Sequence, residues 1–198
     1  MSHEFIRKTA LSHSRSKLRS MTTAVMLAAT SGIALADAAD DCNRFDDPKL
    51  QIKGCTAFIK QGLLQPQLVS MAYTNRGIAH GNMKKPKLAI ADFTEAIKLD
   101  DTSALAYYNR GNAYFDEKKI DLAVADFSAA IKREPEFALA YFNRGLIEEK
   151  RGARDASVAD YQKAYAIDPT MTEALKGLER QGAKPAAPAA TAASDKAS

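Results

Sequence analysis

Apolar residues in the middle of the chain recur with the spacing of an α-helix. Between residues 120 and 131 they fall three or four positions apart, so they share one helical face, and polar residues share the other. The set consists of Ile120, Ala123, Val124, Phe127, Ala130 and Ile131. This pattern predicts an amphipathic helix that packs by a single face.

The same pattern occurs three times at a constant interval, the repeat period. A fixed period of about 34 residues indicates a structure built from repeated units that stack on one another. We therefore predict units at 70–103, 104–137 and 138–171. The recurring positions are Tyr73, Tyr107 and Tyr141; Asn75, Asn109 and Asn143; Arg76, Arg110 and Arg144; Gly77, Gly111 and Gly145; and Ala96, Ala130 and Ala164.

Each unit is predicted to contain two helices. In the first unit they cover about 70–82 and Pro86 to Leu99, since proline is tolerated in a first helical turn. Two further prolines, Pro135 and Pro169, end later units, because the residue before proline avoids the helical conformation.

The flanking segments fit the same architecture. We expect one leading helix within 37–69, a capping helix over 172–182 that covers the end of the stack, and a disordered Ala/Pro-rich tail over 183–198. The total is then about eight helices. The apolar face of the leading helix consists of Ile52, Cys55, Phe58, Ile59 and Leu63.

The repeats resemble the tetratricopeptide repeat, a pair of antiparallel helices with this same period. The third unit departs from its consensus at Glu148 and Ser157, and the first departs at His80 and Asp101. The resemblance implies an all-α fold, a right-handed superhelical solenoid of three units with a leading and a capping helix. In the second unit the consensus positions are matched by Tyr107, Gly111, Tyr114, Ala123, Phe127, Ala130 and Pro135.

The first 36 residues read as a secretory signal peptide. A basic stretch precedes a short apolar stretch, and Ala34-Leu35-Ala36 has the small-residue pattern that signal peptidase accepts. We predict cleavage after Ala36 and a periplasmic or secreted protein, with an uncleaved membrane anchor as the alternative. Residues 42–56 also resemble the cysteine-containing segment of secreted repeat proteins from Gram-negative bacteria, which favours the periplasm.

The charge of the chain gives no indication of a nucleic-acid partner. The formal net charge is +4, but residues 1–36 hold five basic residues and one acidic residue. The remainder is balanced, with 23 of each sign. A neutral body has no counterion-release drive toward DNA or RNA, and after cleavage no stable membrane insertion is expected.

Two cysteines, Cys42 and Cys55, lie in the segment predicted to be exported. In an oxidising compartment such a pair favours a disulfide, and two reduced thiols are the alternative. A tetrahedral zinc site needs four ligands, and the exported part contains one histidine, His80. We therefore expect neither a metal site nor a cofactor.

The sequence contains no recognisable catalytic constellation. His80 replaces a packing tyrosine of the repeat, the serines have no basic partner at a fixed spacing, and no glycine-rich phosphate loop occurs. The recurring aspartates Asp92, Asp126 and Asp160 lie sixteen residues after the recurring arginines. We interpret these pairs as links within or between hairpins, and the protein as a non-enzyme.

The resemblance implies that the first helix of each unit lines a groove for extended peptides. Asparagine amides can donate and accept together, so a row of them suits a peptide backbone. The alternative is that these asparagines bond across repeats and stiffen the solenoid. By register, the groove residues are Thr74, Asn75, Ile78, Tyr108, Asn109, Asn112, Phe142, Asn143 and Leu146.

One subfamily holds the terminal carboxylates of chaperone tails with lysine, asparagine and arginine. Asn109 and Asn112 match its asparagines, but Thr74, Tyr108 and Phe142 stand where lysines are needed, as do Met71, Leu105 and Leu139. An apolar or mixed peptide therefore suits the groove better. We predict an exported scaffold that binds a partner protein. The alternatives are a self-associating envelope component whose groove holds its own tail, and an accessory subunit of an envelope enzyme complex.

Overall fold

The computed structural model describes residues 32–61 and 65–186. Within these residues the chain forms nine α-helices and no strands, which confirms the predicted all-α fold with one helix more than the expected eight. Three predicted features lie at least partly outside the described residues, namely the leader up to residue 31, Leu63, and the tail beyond residue 186. The helices are α1 (Gly32–Cys42), α2 (Pro48–Lys60), α3 (Pro66–Asn82), α4 (Pro86–Leu99), α5 (Ala104–Asp116), α6 (Ile120–Arg133), α7 (Ala138–Lys150), α8 (Arg154–Ile167) and α9 (Thr172–Arg180).

Local sequence explains where several helices begin. Proline opens α2, α3 and α4, where its missing N–H leaves no bond unmade. At α2 the carboxylate of Asp47 also accepts hydrogen bonds from the backbone N–H groups of Lys49 and Leu50, at 3.0 and 3.1 Å. Ser103 caps α5 in the same way through the N–H of Ala106.

The helices fall into two compact units, one ending at Arg133 and one beginning at Glu134. The first unit holds α1 to α6 as three antiparallel hairpins, α1–α2, α3–α4 and α5–α6, in which the second helix of each hairpin packs on the first helix of the next. The second unit holds the hairpin α7–α8, with α9 packed against α8.

The recurring glycines lie where the two helices of a hairpin cross most closely. A Cβ atom at Gly77 would lie 2.6 Å from the ring of Phe93, and one at Gly111 would lie 2.9 Å from the ring of Phe127. Both rings are buried. The repeated glycine and the repeated aromatic residue are therefore two sides of one contact.

The expectation of a single leading helix is wrong, because two helices precede the first repeat. The additional helix, α1, crosses the predicted cleavage position and buries Ala38, Ala39 and Cys42. The predicted disulfide between Cys42 and Cys55 is present and joins α1 to α2. Helix α3 also begins earlier than expected, at Pro66 rather than about residue 70. The first unit thus begins with a hairpin that the repeat pattern does not reveal.

The second unit ends in the predicted capping helix. Gly177 of α9 approaches the ring of Tyr161 so closely that a Cβ atom there would lie 2.7 Å from it. Ala174 and Leu178 of α9 are also buried. This contact covers the apolar face of the hairpin α7–α8.

Candidate partner-binding surface

In the first unit the first helices of the hairpins form one layer and the second helices form another. The helices α1, α3 and α5 contact each other directly, and more closely than α2, α4 and α6 do. The layer of α1, α3 and α5 therefore lies on the inner side of the bend in this unit. We call these three helices the inner layer.

The nine predicted groove residues divide by exposure. Five are buried, namely Thr74, Asn75, Tyr108, Phe142 and Asn143. Four are partly exposed, namely Ile78, Asn109, Asn112 and Leu146. The partly exposed residues retain a surface that a partner could contact, and a partner-binding role for the set stays a prediction.

The buried aromatic residues of the set pack against the second helix of their own hairpins. The ring of Tyr108 lies 5.8 Å from that of Phe127, and the ring of Phe142 lies 5.9 Å from that of Tyr161. Such tilted ring pairs add stability beyond the area they bury. Both residues therefore contribute to the core, which their register alone does not indicate.

Asn75 bonds to the disulfide-linked hairpin. Its amide lies 3.3 Å from the carbonyl oxygen of Cys42 and 3.1 Å from the side-chain oxygen of Asn43. The fully buried Gln51 donates to the same Cys42 carbonyl at 3.3 Å. These amides satisfy the carbonyl group at the C-terminal end of α1. Asn75 therefore links neighbouring hairpins, as the alternative interpretation of the asparagines expects. Gln51 escapes sequence reasoning because it follows no repeat.

Asn109 behaves differently, although it is the equivalent residue in the next unit. Its amide donates to the carbonyl oxygen of Leu105, one turn earlier in the same helix, at 2.9 Å. It remains partly exposed on the inner layer. The two asparagines therefore make different contacts despite their shared register.

The recurring arginines and aspartates form one two-pronged ion pair in each of the three repeat hairpins, α3–α4, α5–α6 and α7–α8. In the first, Arg76 reaches the two carboxylate oxygens of Asp92 at 3.0 and 2.7 Å. The equivalent distances are 2.8 and 2.9 Å for Arg110 with Asp126, and 2.8 and 2.7 Å for Arg144 with Asp160. Hydrogen bonding to these buried aspartates raises the pKa of each arginine.

Two of these arginines also reach the preceding hairpin. Arg76 donates to the hydroxyl of Thr56 at 3.1 Å, and Arg110 donates to that of Thr94 at 3.3 Å. The two threonines are not separated by the repeat period, because the hairpin α1–α2 lies outside the repeat. These two arginines therefore link successive hairpins through their bonds to the threonines.

These ion pairs leave the three helices of the inner layer without a cation for a ligand. Arg76 and Arg110 are the only lysine or arginine residues in α3 and α5, and buried aspartates hold both. Helix α1 contains neither lysine nor arginine. An acidic ligand would therefore have to compete with a buried aspartate for the charge of such an arginine.

His80 lies beside the first of these ion pairs. Its Nε2 atom is 3.7 Å from a carboxylate oxygen of Asp92. Burial lowers the pKa of His80, and nearby Arg76 and Lys85 lower it further, against an opposing effect of Asp92. The imidazole fills the position that Tyr114 fills in the next hairpin.

In the second unit an ion pair attaches the last helix. Arg180 of α9 reaches both carboxylate oxygens of Glu149 on α7, each at 2.8 Å. The hydroxyl of Tyr161 donates to the same carboxylate. The bond to Arg180 lowers the pKa of Glu149 to about 2.

Metal-ligating side chains do not cluster in the part of the chain that the structure describes. No group of three or more such side chains occurs there. None of the described helices is long and apolar enough to cross a membrane.

Two stretches of the chain match family models described as tetratricopeptide repeat, residues 70–103 and 108–172. Together they span half of the 198 residues. The chain therefore belongs to the tetratricopeptide repeat family, whose domains mediate protein–protein interaction. No curated protein matches the chain.

Solved structures with the same fold include three representative matches. MamA is 25% identical, with a TM-score of 0.62, over 72% of this chain and 84% of that protein. The Arabidopsis OM64 TPR domain is 26% identical, with a TM-score of 0.57, over 59% of this chain and 97% of that domain. The second TPR domain of human RPAP3 was solved with the HSP70 peptide SGPTIEEVD. It is 24% identical, with a TM-score of 0.56, over 60% of this chain and 99% of that domain.

Proposed function

We propose that this protein is an exported, non-enzymatic scaffold that binds an extended segment of a partner protein on its inner layer. The observation that carries this proposal is the pair Ile78 and Asn112, which stand one repeat period apart on α3 and α5 and remain partly exposed. Asn109 and Met71 are partly exposed on the same two helices. Amide and apolar side chains in this arrangement suit a peptide backbone and its apolar side chains. Leu146 holds the equivalent repeat position on α7 in the second unit and is also partly exposed.

The chemistry of the inner layer favours a neutral or apolar peptide. The human RPAP3 domain was solved with an acidic peptide that ends in EEVD. Here the arginines of α3 and α5 are held by Asp92 and Asp126. An acidic peptide would therefore lose its hydration without gaining a charge-assisted bond.

Several observations support export. The predicted cleavage lies between Ala36 and Asp37, both of which are exposed, and the next residue, Ala38, is buried. Cleavage there would leave Ala38, Ala39 and Cys42 in the mature chain. A disulfide is also typical of an oxidising compartment.

The binding surface is tested by crosslinking in intact cells. A photoreactive amino acid at Ile78 or Asn112 should crosslink to a partner that mass spectrometry identifies. The matched controls are Ala91 and Ala125, which are exposed on α4 and α6 and are also one repeat period apart. Equal crosslinking from both pairs, or none from the first pair, would contradict the proposal.

Replacement of single asparagines separates binding from stability. Asn109→Ala should weaken binding of the identified segment by roughly two- to tenfold, because a net hydrogen bond contributes ~0.5–1.5 kcal/mol, with little change in the unfolding midpoint. Asn75→Ala should do the reverse, because it removes a buried amide that bonds to Cys42. Calorimetric titration and thermal unfolding of both variants measure the two effects. A lowered midpoint with unchanged affinity for Asn109→Ala would contradict a binding role at this residue.

A further inference from the structure

Two neighbouring turns in the first unit carry the same short sequence outside the core pattern of the repeat. The turn between α3 and α4 contains Lys84 and Lys85, with Leu88 following in the first turn of α4. The turn between α5 and α6 repeats this arrangement one period later, with Lys118, Lys119 and Leu122. The third repeat lacks it, having Gly152, Ala153 and Ala156 at these positions.

These side chains are exposed. Leu88 and Leu122 each expose 48% of their surface, and among the described residues only one other large apolar side chain, Leu99, is exposed to a comparable degree. The four lysines of the two turns are exposed as well. Isolated exposed leucines are ordinary, but equivalent ones beside paired lysines form a distinct surface.

The backbone at these turns is unfavourable for lysine. Lys84 and Lys118 have φ angles of 57° and 61°, and they are the only described non-glycine residues with positive φ. Gly152 takes the same conformation at the third turn, with φ of 76°. Such strain at a side chain that is otherwise replaceable points to a role for the side chain itself.

The topology brings the two turns together. Helices α3 and α5 run in the same direction in successive hairpins, so the turns that follow them lie at the same edge of the first unit. The leucines begin the helices that leave this edge. The exposed Lys87 lies next to Leu88. The lysine–leucine edge is the set Lys84, Lys85, Lys87, Leu88, Lys118, Lys119 and Leu122.

The charge of this edge favours an anionic partner. Five lysines face three acidic neighbours, Asp116, Glu117 and Asp121, so the two turns carry a net charge of +2. The excess lies wholly in the first turn, whose residues 82–88 contain three lysines and no acid.

We propose that the lysine–leucine edge attaches the protein peripherally to an anionic lipid surface. Lysine carries a compact charge without the fixed fork of arginine, so it suits a diffuse anionic surface better than one particular carboxylate. Leucines that project from an edge can enter the headgroup region without a complementary pocket. An acidic protein surface would need such a pocket for each leucine.

Vesicle flotation of the native protein, purified in the form that the cell produces, tests the attachment. The unaltered protein should bind vesicles of phosphatidylcholine mixed with phosphatidylglycerol, should bind pure phosphatidylcholine far less, and should be released by salt. The triple variant Lys84→Gln, Lys85→Gln and Lys87→Gln should bind roughly a hundredfold more weakly, at about fivefold per lysine. Leu88→Gln with Leu122→Gln should lower binding by about tenfold.

The matched control replaces Lys60, Lys98 and Lys132, three exposed lysines at the C-terminal ends of α2, α4 and α6, by glutamine. It makes the same change in net charge on another surface, so it should leave binding unchanged, and circular dichroism should show every variant folded. Equal losses in the two triple variants would overturn the proposal, as would failure of the unaltered protein to bind anionic vesicles. Binding to polyglutamate but not to vesicles would also overturn it, in favour of an acidic protein surface.

Discussion

At the scale of single residues, equivalent positions of the repeats differ in ways that have physical consequences. The left-handed turn position is occupied by Lys84, Lys118 and Gly152 in successive hairpins. Glycine adopts this conformation readily, whereas for a residue with a Cβ atom it costs roughly 1–2 kcal/mol. The first two turns are therefore less stable than glycine would make them.

Lys118→Gly should increase the free energy of unfolding by about 0.5–1 kcal/mol, because relief of strain exceeds the added entropy of glycine in the unfolded chain. Gly152→Lys should decrease it by about 1 kcal/mol. A Cβ atom at Gly152 meets no neighbour, so the effect there is purely backbone strain. Urea denaturation of both variants measures these changes. A destabilised Lys118→Gly variant would show that the lysine makes a stabilising contact.

His80 should make stability depend on pH. Its pKa in the folded protein is lowered from 6.5, so the unfolded chain binds a proton first and stability declines as the pH falls below about 6.5. Asp92, Arg76 and Lys85 face the imidazole, and their net effect with burial is this lowering.

Replacing His80 by tyrosine, as in the next hairpin, should remove this decline between pH 7 and pH 5. The measurement is the urea midpoint across that range, where ordinary carboxylates contribute little. An unchanged pH profile in His80→Tyr would rule out the histidine as its source.

At the scale of elements, the hairpin α1–α2 is held to the first repeat by contacts that follow no repeat pattern. Its disulfide, the amides of Gln51 and Asn75 on the Cys42 carbonyl, and the bond from Arg76 to Thr56 all meet in this region. The cysteines are evident in the sequence, and their pairing follows from the predicted compartment. Helix α1, the first helix of the hairpin, could not be predicted, because it lies where the leader and the mature chain adjoin.

Replacing Cys42 and Cys55 together by serine should lower the free energy of unfolding by about 3 kcal/mol, the value for a loop of roughly this length. The loss should appear as faster hydrogen exchange in α1 and α2, with exchange in α5 and α6 unchanged. Reduction of the unaltered protein with dithiothreitol is the control and should reproduce the effect. Unchanged exchange in α1 and α2 would show that packing alone holds the hairpin.

At the scale of the whole molecule, the predicted cleavage position should lie just before residues that the folded protein buries. Exposed Asp37 precedes buried Ala38 and Ala39, so cleavage after Ala36 would keep both buried alanines in the mature chain.

The mature protein should therefore begin at Asp37, in a fraction outside the cytoplasm. Intact mass and N-terminal sequencing of the native protein measure this. Met1 or Ser2 at the N-terminus of a cytosolic protein would contradict it, and an intact leader in the membrane fraction would favour the uncleaved anchor.

The sequence alone determined the repeat, because helical period, proline placement and the recurring glycines are local features that recur in register. Helix α4 begins and ends at the predicted Pro86 and Leu99. The arginine–aspartate pairs bridge the two helices of each repeat hairpin, which is one of the two arrangements that their fixed spacing allowed. Tertiary structure decided which members of a register face the surface. Asn75 is buried against α1 whereas Asn109 bonds within α5, because the preceding hairpin differs for each. Tyr108 lies under Phe127 because inward and outward positions of a helix differ by less than one turn, and only packing of the second helix selects between them.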